Sequence, residues 1–462
     1  MMKRLFFSAV LLATALVGAK ADVDPNFYIY ICFGQSNMEG NAQPEAVDKT
    51  GVDKRFQLLA TCNFSSPSRK MGYWYVATPP LVSPNGGLGP SDYFGRMMVE
   101  SLPEEVRVGV IPVAMGGSPI EMFDKDKYKQ KLQQNPNEWW ATLAKNHYGG
   151  NPYGRIIEMA KKAQQVGVIK GILLHQGCSN NGDPNWPNMV KKIYTDMLKD
   201  LSLGADTVPL FVGETLRQDQ GGSCFAHNTQ VARMPSVVKT SHVVSSEGCP
   251  GNGQDPWHFN ALGYRIIGSR YAAEALYTLG AQYPCFSFHN YDLMVNKYCT
   301  YAEKTRTLTI NSGGTGIAAW SYPHFADWSA YKYLVVKLKQ PQEVGAEVWL
   351  YGKSKTLAYR DTINDRTTVV IDLQNLRYNN KLMDPSAVYK MIFRAPKAGK
   401  IVFDDVFLSN DDQYAPSVTA IRSVDAAAPF RAPLYSLDGR LADPKALKPG
   451  VYIQGGRKFV VR

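Results

Sequence analysis

Beyond its first twenty-one residues, this 462-residue chain has no apolar run near the roughly 20 residues that a membrane-spanning helix requires, so no span is expected in the body of the protein. It contains no C-x-x-C pair, and its seven histidines never fall into H-x-x-x-H or H-E-x-x-H spacing, so the sequence offers no support for a metal site. The formal charge is +11, but no basic run accompanies it, and Lys3, Arg4 and Lys20 of the leader contribute three of those charges. Scattered cations describe a solvated basic surface rather than a nucleic-acid footprint. There is no solenoid-type repeat and no low-complexity tract. Cysteine is scarce and odd in number: with Cys32, Cys62, Cys178, Cys224, Cys249, Cys285 and Cys299, at least one thiol stays unpaired. Cys32, inside the first apolar run, reads as a small buried hydrophobe, and Cys285 and Cys299 bracket a loop short enough to pair.

What is present begins with a leader. Lys3 and Arg4 precede the apolar run Leu5 to Val17 and the motif Ala19-Lys20-Ala21, which fits a secretory signal peptide over residues 1–21. The mature protein is therefore expected to start at Asp22 and to be secreted, extracellular or at the cell surface, with the periplasm also open. An apolar fraction of 45% over the remaining length suits two or three packed domains.

Residues 22–283 alternate strand-like and helix-like segments. Strands are expected over Phe27 to Phe33, Val106 to Ala114, Val168 to His175, Pro209 to Gly213 and Thr240 to Ser246. Helices are expected over Ser91 to Leu102, Tyr153 to Gln165, Trp186 to Leu201 and Asn260 to Leu279. Continuous apolar strands between amphipathic helices predict a parallel sheet covered on both faces, a three-layer α/β/α domain. Residues 284–412 carry short strands and no convincing helix, which predicts a β-sandwich. Residues 413–462 are too short for a large core and read as a small β tail.

The stretch "FYIYICFGQSNMEG", Phe27 to Gly40, stops a strand at a tight glycine turn and starts a helix-compatible run. Ser36 there stands at the carboxyl edge of the sheet beside a helix N-terminus, which suits a nucleophile with its oxyanion donors and equally suits a helix cap. In "GQDPWHFNALGYRIIG", Asp255 and His258 are three residues apart in a turn, a spacing that lets a carboxylate fix an imidazole tautomer.

Five blocks in order, "GQSNMEG", "GGLGPSDYFG", "VAMGGSPI", "LLHQGCSNNGD" and "DPWHFNALGYR", resemble those of the SGNH hydrolases. Within these they are similar to the carbohydrate acetylesterase branch, acetylxylan esterases of the carbohydrate esterase family 6 type and sialate O-acetylesterases. The resemblance covers Asn26 to about Gly280 and implies a flavodoxin-like domain that needs no cofactor. It implies Ser36 as nucleophile, His258 as general base and acid, and Asp255 as its orienting partner. It further implies oxyanion donors in the Ser36 and Gly89 amides and the Gln176 side chain. Gly117, Ser118 and Asn180 are candidate substrate contacts; the turn at Gly116-Gly117 reads equally as an ordinary tight turn. Where many members have glutamate after "HQG", this chain has Cys178, either a buried thiol or a disulfide partner of Cys224 or Cys249.

His175, His227 and His242 read as structural or surface groups, and Trp186 as helix packing. Trp320, Trp328 and Trp349 in the sandwich read mostly as core, with glycan stacking on a jelly-roll-like module the other reading. The tail, with "SLDGR" and "LKPGVYI", resembles the C-terminal sorting domains of Bacteroidetes-type secreted proteins, or is a strand pair on the sandwich. The whole describes a carbohydrate O-acetylesterase acting on acetylated xylan. Deacetylation of sialic acid and a non-catalytic glycan-binding surface protein are the alternatives.

Overall fold

The structure, a computed structural model, describes residues 23–281, 283–341, 344–363, 366–415, 434–436, 442–443, 447–454 and 457–461. The leader lies outside the described residues, as does most of the segment joining the sandwich to the tail. The chain divides into two compact units at Pro284/Cys285.

Seven strands form the sheet of the first unit: β1 (Phe27–Gly34), β2 (Phe56–Leu59), β3 (Trp74–Val76), β4 (Arg107–Ala114), β5 (Val168–His175), β6 (Leu210–Gly213) and β7 (Ser241–Val244). Their spatial order is β3-β2-β4-β1-β5-β6-β7. All neighbouring pairs are parallel except β2 with β3, so an antiparallel edge closes an otherwise parallel sheet. β1 and β5 are nearly all buried because helices cover both faces, which is why they read as unbroken apolar runs. Phe27, Ile29, Ile31 and Phe33 enter the larger core cluster. Cys32 is fully buried, and that burial pushes its thiol far above the usual range.

The expected helices lie at Pro90–Ser101, Pro152–Ala163, Trp186–Leu201 and Ala261–Thr278. The last is capped by Asn260, whose side chain accepts from the Gly263 amide at 2.8 Å. It packs on Pro90–Ser101, and a Cβ at Gly268 would come within 2.5 Å of the Pro90 carbonyl oxygen. Arg265 on the same helix donates twice to the fully buried Asp48, at 2.9 Å each, and Tyr93 donates to Asp48 at 2.8 Å. Removing one partner of such a buried ion pair typically costs about 3–5 kcal/mol. The network therefore fixes the last helix of the unit to the region just after Ser36.

The site is placed by topology. From β1 the chain builds β2, β3 and β4 to one side and then β5, β6 and β7 to the other, so the carboxyl end of β1 is the switch point where ligands bind in open α/β sheets. There Gly34 lies between Ala114 and His175, and a Cβ on it would stand 2.1 Å from the His175 carbonyl oxygen. Only glycine permits that approach, and the turn it allows delivers Ser36.

The second unit holds two five-stranded antiparallel sheets. One runs Thr368–Asp372, Tyr333–Leu338, Gly399–Ser409, Thr307–Ile310 and Cys299–Ala302; the other Leu357–Thr362, Glu347–Tyr351, Val388–Arg394, Ile317–Ala326 and Met294–Val295. Trp320 and Trp328 are buried in its core. Trp349 is only partly buried; its indole N–H donates to Glu347 and the Arg394 guanidinium lies 4.4 Å from its ring centre. Cys285 and Cys299, whose spacing allows a pair, are free thiols; the Cys299 sulfur faces Gly316. Leu434–Ser436, Gly450–Gln454 and Arg457–Val461 form a small antiparallel sheet in the tail.

Candidate active site

Ser36 opens the four-residue helix Ser36–Glu39, with Gln35 as its N-cap. Its hydroxyl is not spent on capping: Oγ lies 2.8 Å from His258 Nε2. His258 Nδ1 lies 2.8 Å from Asp255 Oδ2, completing a hydroxyl–imidazole–carboxylate chain across 222 residues of sequence. Asp255 also accepts from the His258 amide at 3.0 Å, the Trp257 amide at 2.8 Å and the Asn252 side chain at 2.9 Å. Partial burial works against ionisation of Asp255, but the bonds from His258, Asn252 and Trp257 outweigh it and hold the carboxyl down at about 2. A charged carboxylate on Nδ1 leaves Nε2 free to accept the serine proton.

Several side chains that hold this chain in place were not singled out from sequence. Asn252 supports the Asp255 turn, its Oδ1 accepting from the Gln254 and Asp255 amides. Asn37 donates to the Trp257 carbonyl at 3.0 Å and accepts from Tyr264 at 2.8 Å, tying the serine helix to the histidine turn. Glu39, buried, accepts from Ser83 and the Gly116 amide at 2.7 Å each, and burial raises its carboxyl despite those bonds. Gln35 Oε1 accepts from the amides of Gly177 and Ser179. The available signal was the density of polar residues in "GQSNMEG", where an apolar strand gives way to side chains able to bond in several directions.

Four expected site residues have other duties. The Gly89 amide caps its helix by donating to Asp92 Oδ2 at 3.4 Å, so it is not a free oxyanion donor. Both hydrogens of the Gln176 amide are used, toward the Ser118 carbonyl and Asn180 Oδ1, and its oxygen accepts from Trp186. Gln176 is thus a buried brace. Asn180 accepts from the Ile120 amide and donates to Glu121, which commits it to the loop and not to a substrate. Ser118 is fully buried.

The turn at Gly116-Gly117 lies beside the serine, with the Gly116 amide committed to Glu39. A Cβ on Gly116 would lie 3.8 Å from Ser36 Cβ, and Gly117 is exposed with φ +78°. Among the described residues, the amides of Ser36 and Gly117 have no partner within the chain. An unspent N–H group on the nucleophile's own residue, with a second in the neighbouring turn, is the kind of donor that can stabilise an oxyanion.

Asp92 offers a separate test. It is fully buried with Oδ1 unpartnered, and burial is the largest influence, pushing its carboxyl up to about 7 against the pull of Arg96 and the Gly89 amide. As pH rises from about 4 to about 7, the unfolded chain releases this proton while the native protein keeps it, so native stability falls. Asp92→Asn should therefore raise Tm at pH 8 by several degrees and give no gain at pH 4. Thermal melts at the two pH values would read it, and equal melting of variant and parent at pH 8 would refute it.

The Cys178 thiol donates toward Cys224, which holds Cys224 below the usual thiol range and Cys178 above it. Both are free, as is Cys249, whose sulfur accepts from Arg270. His175 and His227 are buried and His242 pairs with Glu274 at 3.3 Å, all structural, and Trp186 is core. Away from the site, Asp124, Asp126 and Asp196 converge, and the Lys192 ammonium donates to all three. No helix among the described residues is long and apolar enough to cross a membrane.

A hydroxyl, imidazole and carboxylate hydrogen-bonded in series at the carboxyl edge of a doubly wound sheet is the arrangement of a serine hydrolase. Residues 26–277 match the family described as carbohydrate esterase, sialic acid-specific acetylesterase, and the chain belongs to that family. Among solved structures it is similar to a protein from Arabidopsis thaliana, with 19% identity and a TM-score of 0.42 over 55% of this chain and 99% of that one. It is also similar to XAC1771, a carbohydrate acetylesterase from Xanthomonas citri, with 16% identity and a TM-score of 0.38 over 80% of each chain. NanS matches with 15% identity and a TM-score of 0.41 over 56% of this chain and 99% of its own.

Proposed function

We propose that the protein is a secreted serine O-acetylesterase that removes acetyl groups from acetylated xylan or its oligosaccharides. The observation that carries this reading is the chain from Ser36 Oγ through His258 to Asp255. His258 Nε2 takes the hydroxyl proton as Ser36 Oγ attacks the acetyl carbonyl carbon, and the imidazolium returns that proton to the departing sugar oxygen. Water, deprotonated by the same imidazole, then attacks the acetyl-serine and releases acetate. Asp255 keeps the Nδ1 proton in place and stabilises the imidazolium. The Ser36 and Gly117 amides receive the oxyanion, each such donor being worth ~10²–10³ in turnover. The reaction balances without a cofactor.

The choice of xylan is supported by the character of the groups around Ser36. Trp257, Asn37, Asn252, Gly116, Gly117 and Ser179 carry no positive charge, and the carboxylates there are Asp255 and Glu39. A sialic acid carboxylate is ordinarily met by a guanidinium. The family description favours sialate O-acetylesterase activity as the second reading. Acetate release should be about tenfold or more faster, in kcat/KM, from acetylated xylooligosaccharides than from O-acetyl sialosides. The reverse order would replace xylan by sialic acid, and no release from either, or from p-nitrophenyl acetate, would leave the glycan-binding alternative. Export belongs to the same proposal, supported by the basic-then-apolar start of the sequence, and a mature N-terminus at Asp22 tests it.

A further inference from the structure

The first unit contains five of the chain's eight tryptophans. Trp140 and Trp186 are buried, and Trp74 packs against the core. The other two are turned into solvent, Trp139 with 58% and Trp257 with 47% of its surface exposed. An indole is a large apolar surface to leave in water, and such surfaces, when they gather at one place, mark contact sites.

Both gather at Ser36, on different loops. Trp139 Nε1 lies 3.7 Å from the position a Cβ would take on Gly116, and that position is 3.8 Å from Ser36 Cβ. Trp139 is fixed at its base, since it is the first residue of the helix Trp139–Tyr148 and the next residue, Trp140, is buried. Trp257 adjoins His258, with ring centres 6.4 Å apart at 76°. Its backbone is held at both ends, the amide donating to Asp255 and the carbonyl accepting from Asn37. Each indole is thus an exposed face on an anchored backbone.

We propose that Trp139 and Trp257 are sugar-stacking platforms beside the reacting ester, so that the site takes an acetylated oligosaccharide chain in preference to a free acetylated monosaccharide. This rests on the esterase reading for its substrate class. The polarised C–H bonds on the flat face of a pyranose meet the electron-rich face of an indole, and burying the two faces together removes the exposed apolar area from water. An indole on each of two loops gives footholds for sugar units neighbouring the one that bears the acetyl group. A lone acetylated sugar, with its acetyl group at Ser36, forgoes the contacts that those neighbours make.

The test separates this inference from the esterase reading. In the full-length parent, kcat/KM for acetate release should rise roughly tenfold or more from acetylated xylose to acetylated xylotetraose. Trp139→Ala and Trp257→Ala should each lose most of that gain through a higher KM, and Trp→Phe at either position should retain part of it. In a Ser36→Ala background, calorimetric titration with acetylated xylotetraose should show binding weakened roughly tenfold by each Trp→Ala change. A parent with no chain-length gain, or alanine variants that keep both the gain and the affinity, would overturn the platforms while leaving the esterase intact. Absence of ester hydrolysis with Trp-dependent binding would overturn the esterase reading and keep the platforms.

Discussion

Ser36→Ala is expected to lower kcat for acetate release by about 10⁴- to 10⁶-fold, with KM changed by less than about threefold. In the proposed mechanism the hydroxyl oxygen forms the covalent bond, and its removal leaves only the bound ester, the two unspent amides and bulk water. His258→Ala should fall into the same range, because without Nε2 at 2.8 Å the hydroxyl keeps its proton and the sugar oxygen leaves unprotonated. The double variant should be scarcely worse than either single one, since the groups act as a unit and their costs do not add. Circular dichroism should be the same for all three proteins. Turnover in Ser36→Ala within tenfold of the parent would remove Ser36 from the mechanism and the proposed function with it.

Asp255→Asn carries the second large effect, a loss of about 10³- to 10⁴-fold in kcat. An asparagine there presents an N–H where the parent presents a charged oxygen, which favours the wrong imidazole tautomer and removes the charge facing the imidazolium. The sign of its pH dependence follows from the depressed carboxyl. With its native value at about 2 against an ordinary 3.8, Asp255 stabilises the fold fully above about pH 4, and that stability is lost as pH falls through 2. Across the neutral and mildly acidic range the parent carboxylate is always charged, so the ratio of parent to variant rates should stay flat from pH 5 to pH 8. A ratio that collapses toward one at pH 5 would mean that Asp255 titrates in the working range.

The triad was legible in the sequence because each part of it is local. A strand that ends in Gly-Gln-Ser needs no tertiary information to place Ser36 at a sheet edge, and Asp255 and His258 share one turn. The long strands and amphipathic helices were legible because each must bury a face whose period is written in the chain. Edge strands β2 and β3 were not, since four and three residues are too few to show a period. Ile317–Ala326 is hard to read for another reason: it contains Pro323, which argues against a strand, and its register with Val388–Arg394 shifts between Ser321 and Ala326.

The oxyanion donors failed for a third reason. Sequence shows that Gln176 has an amide and Gly89 an N–H, but not that Trp186, Ser118, Asn180 and Asp92 already take what they offer. The roles of Trp139 and Trp257 were equally hidden, because exposure is a property of the assembled unit. Trp139 precedes the buried Trp140 in an ordinary amphipathic segment, and nothing local distinguishes the one that faces the site.

Asn37 has a kinetic meaning as well as a structural one. Its two bonds join the first helix of the unit to Trp257 and to Tyr264 in the last helix, 220 and 227 residues later. Contacts of such sequence separation close only after the intervening chain has found its place. On the proposed mechanism, a nascent chain that has emerged only as far as β7 carries its nucleophile without a base, and cleaves no ester before the final helix has docked. Hydrolysis reports completion of the whole unit, which makes the enzyme its own assay for finished folding.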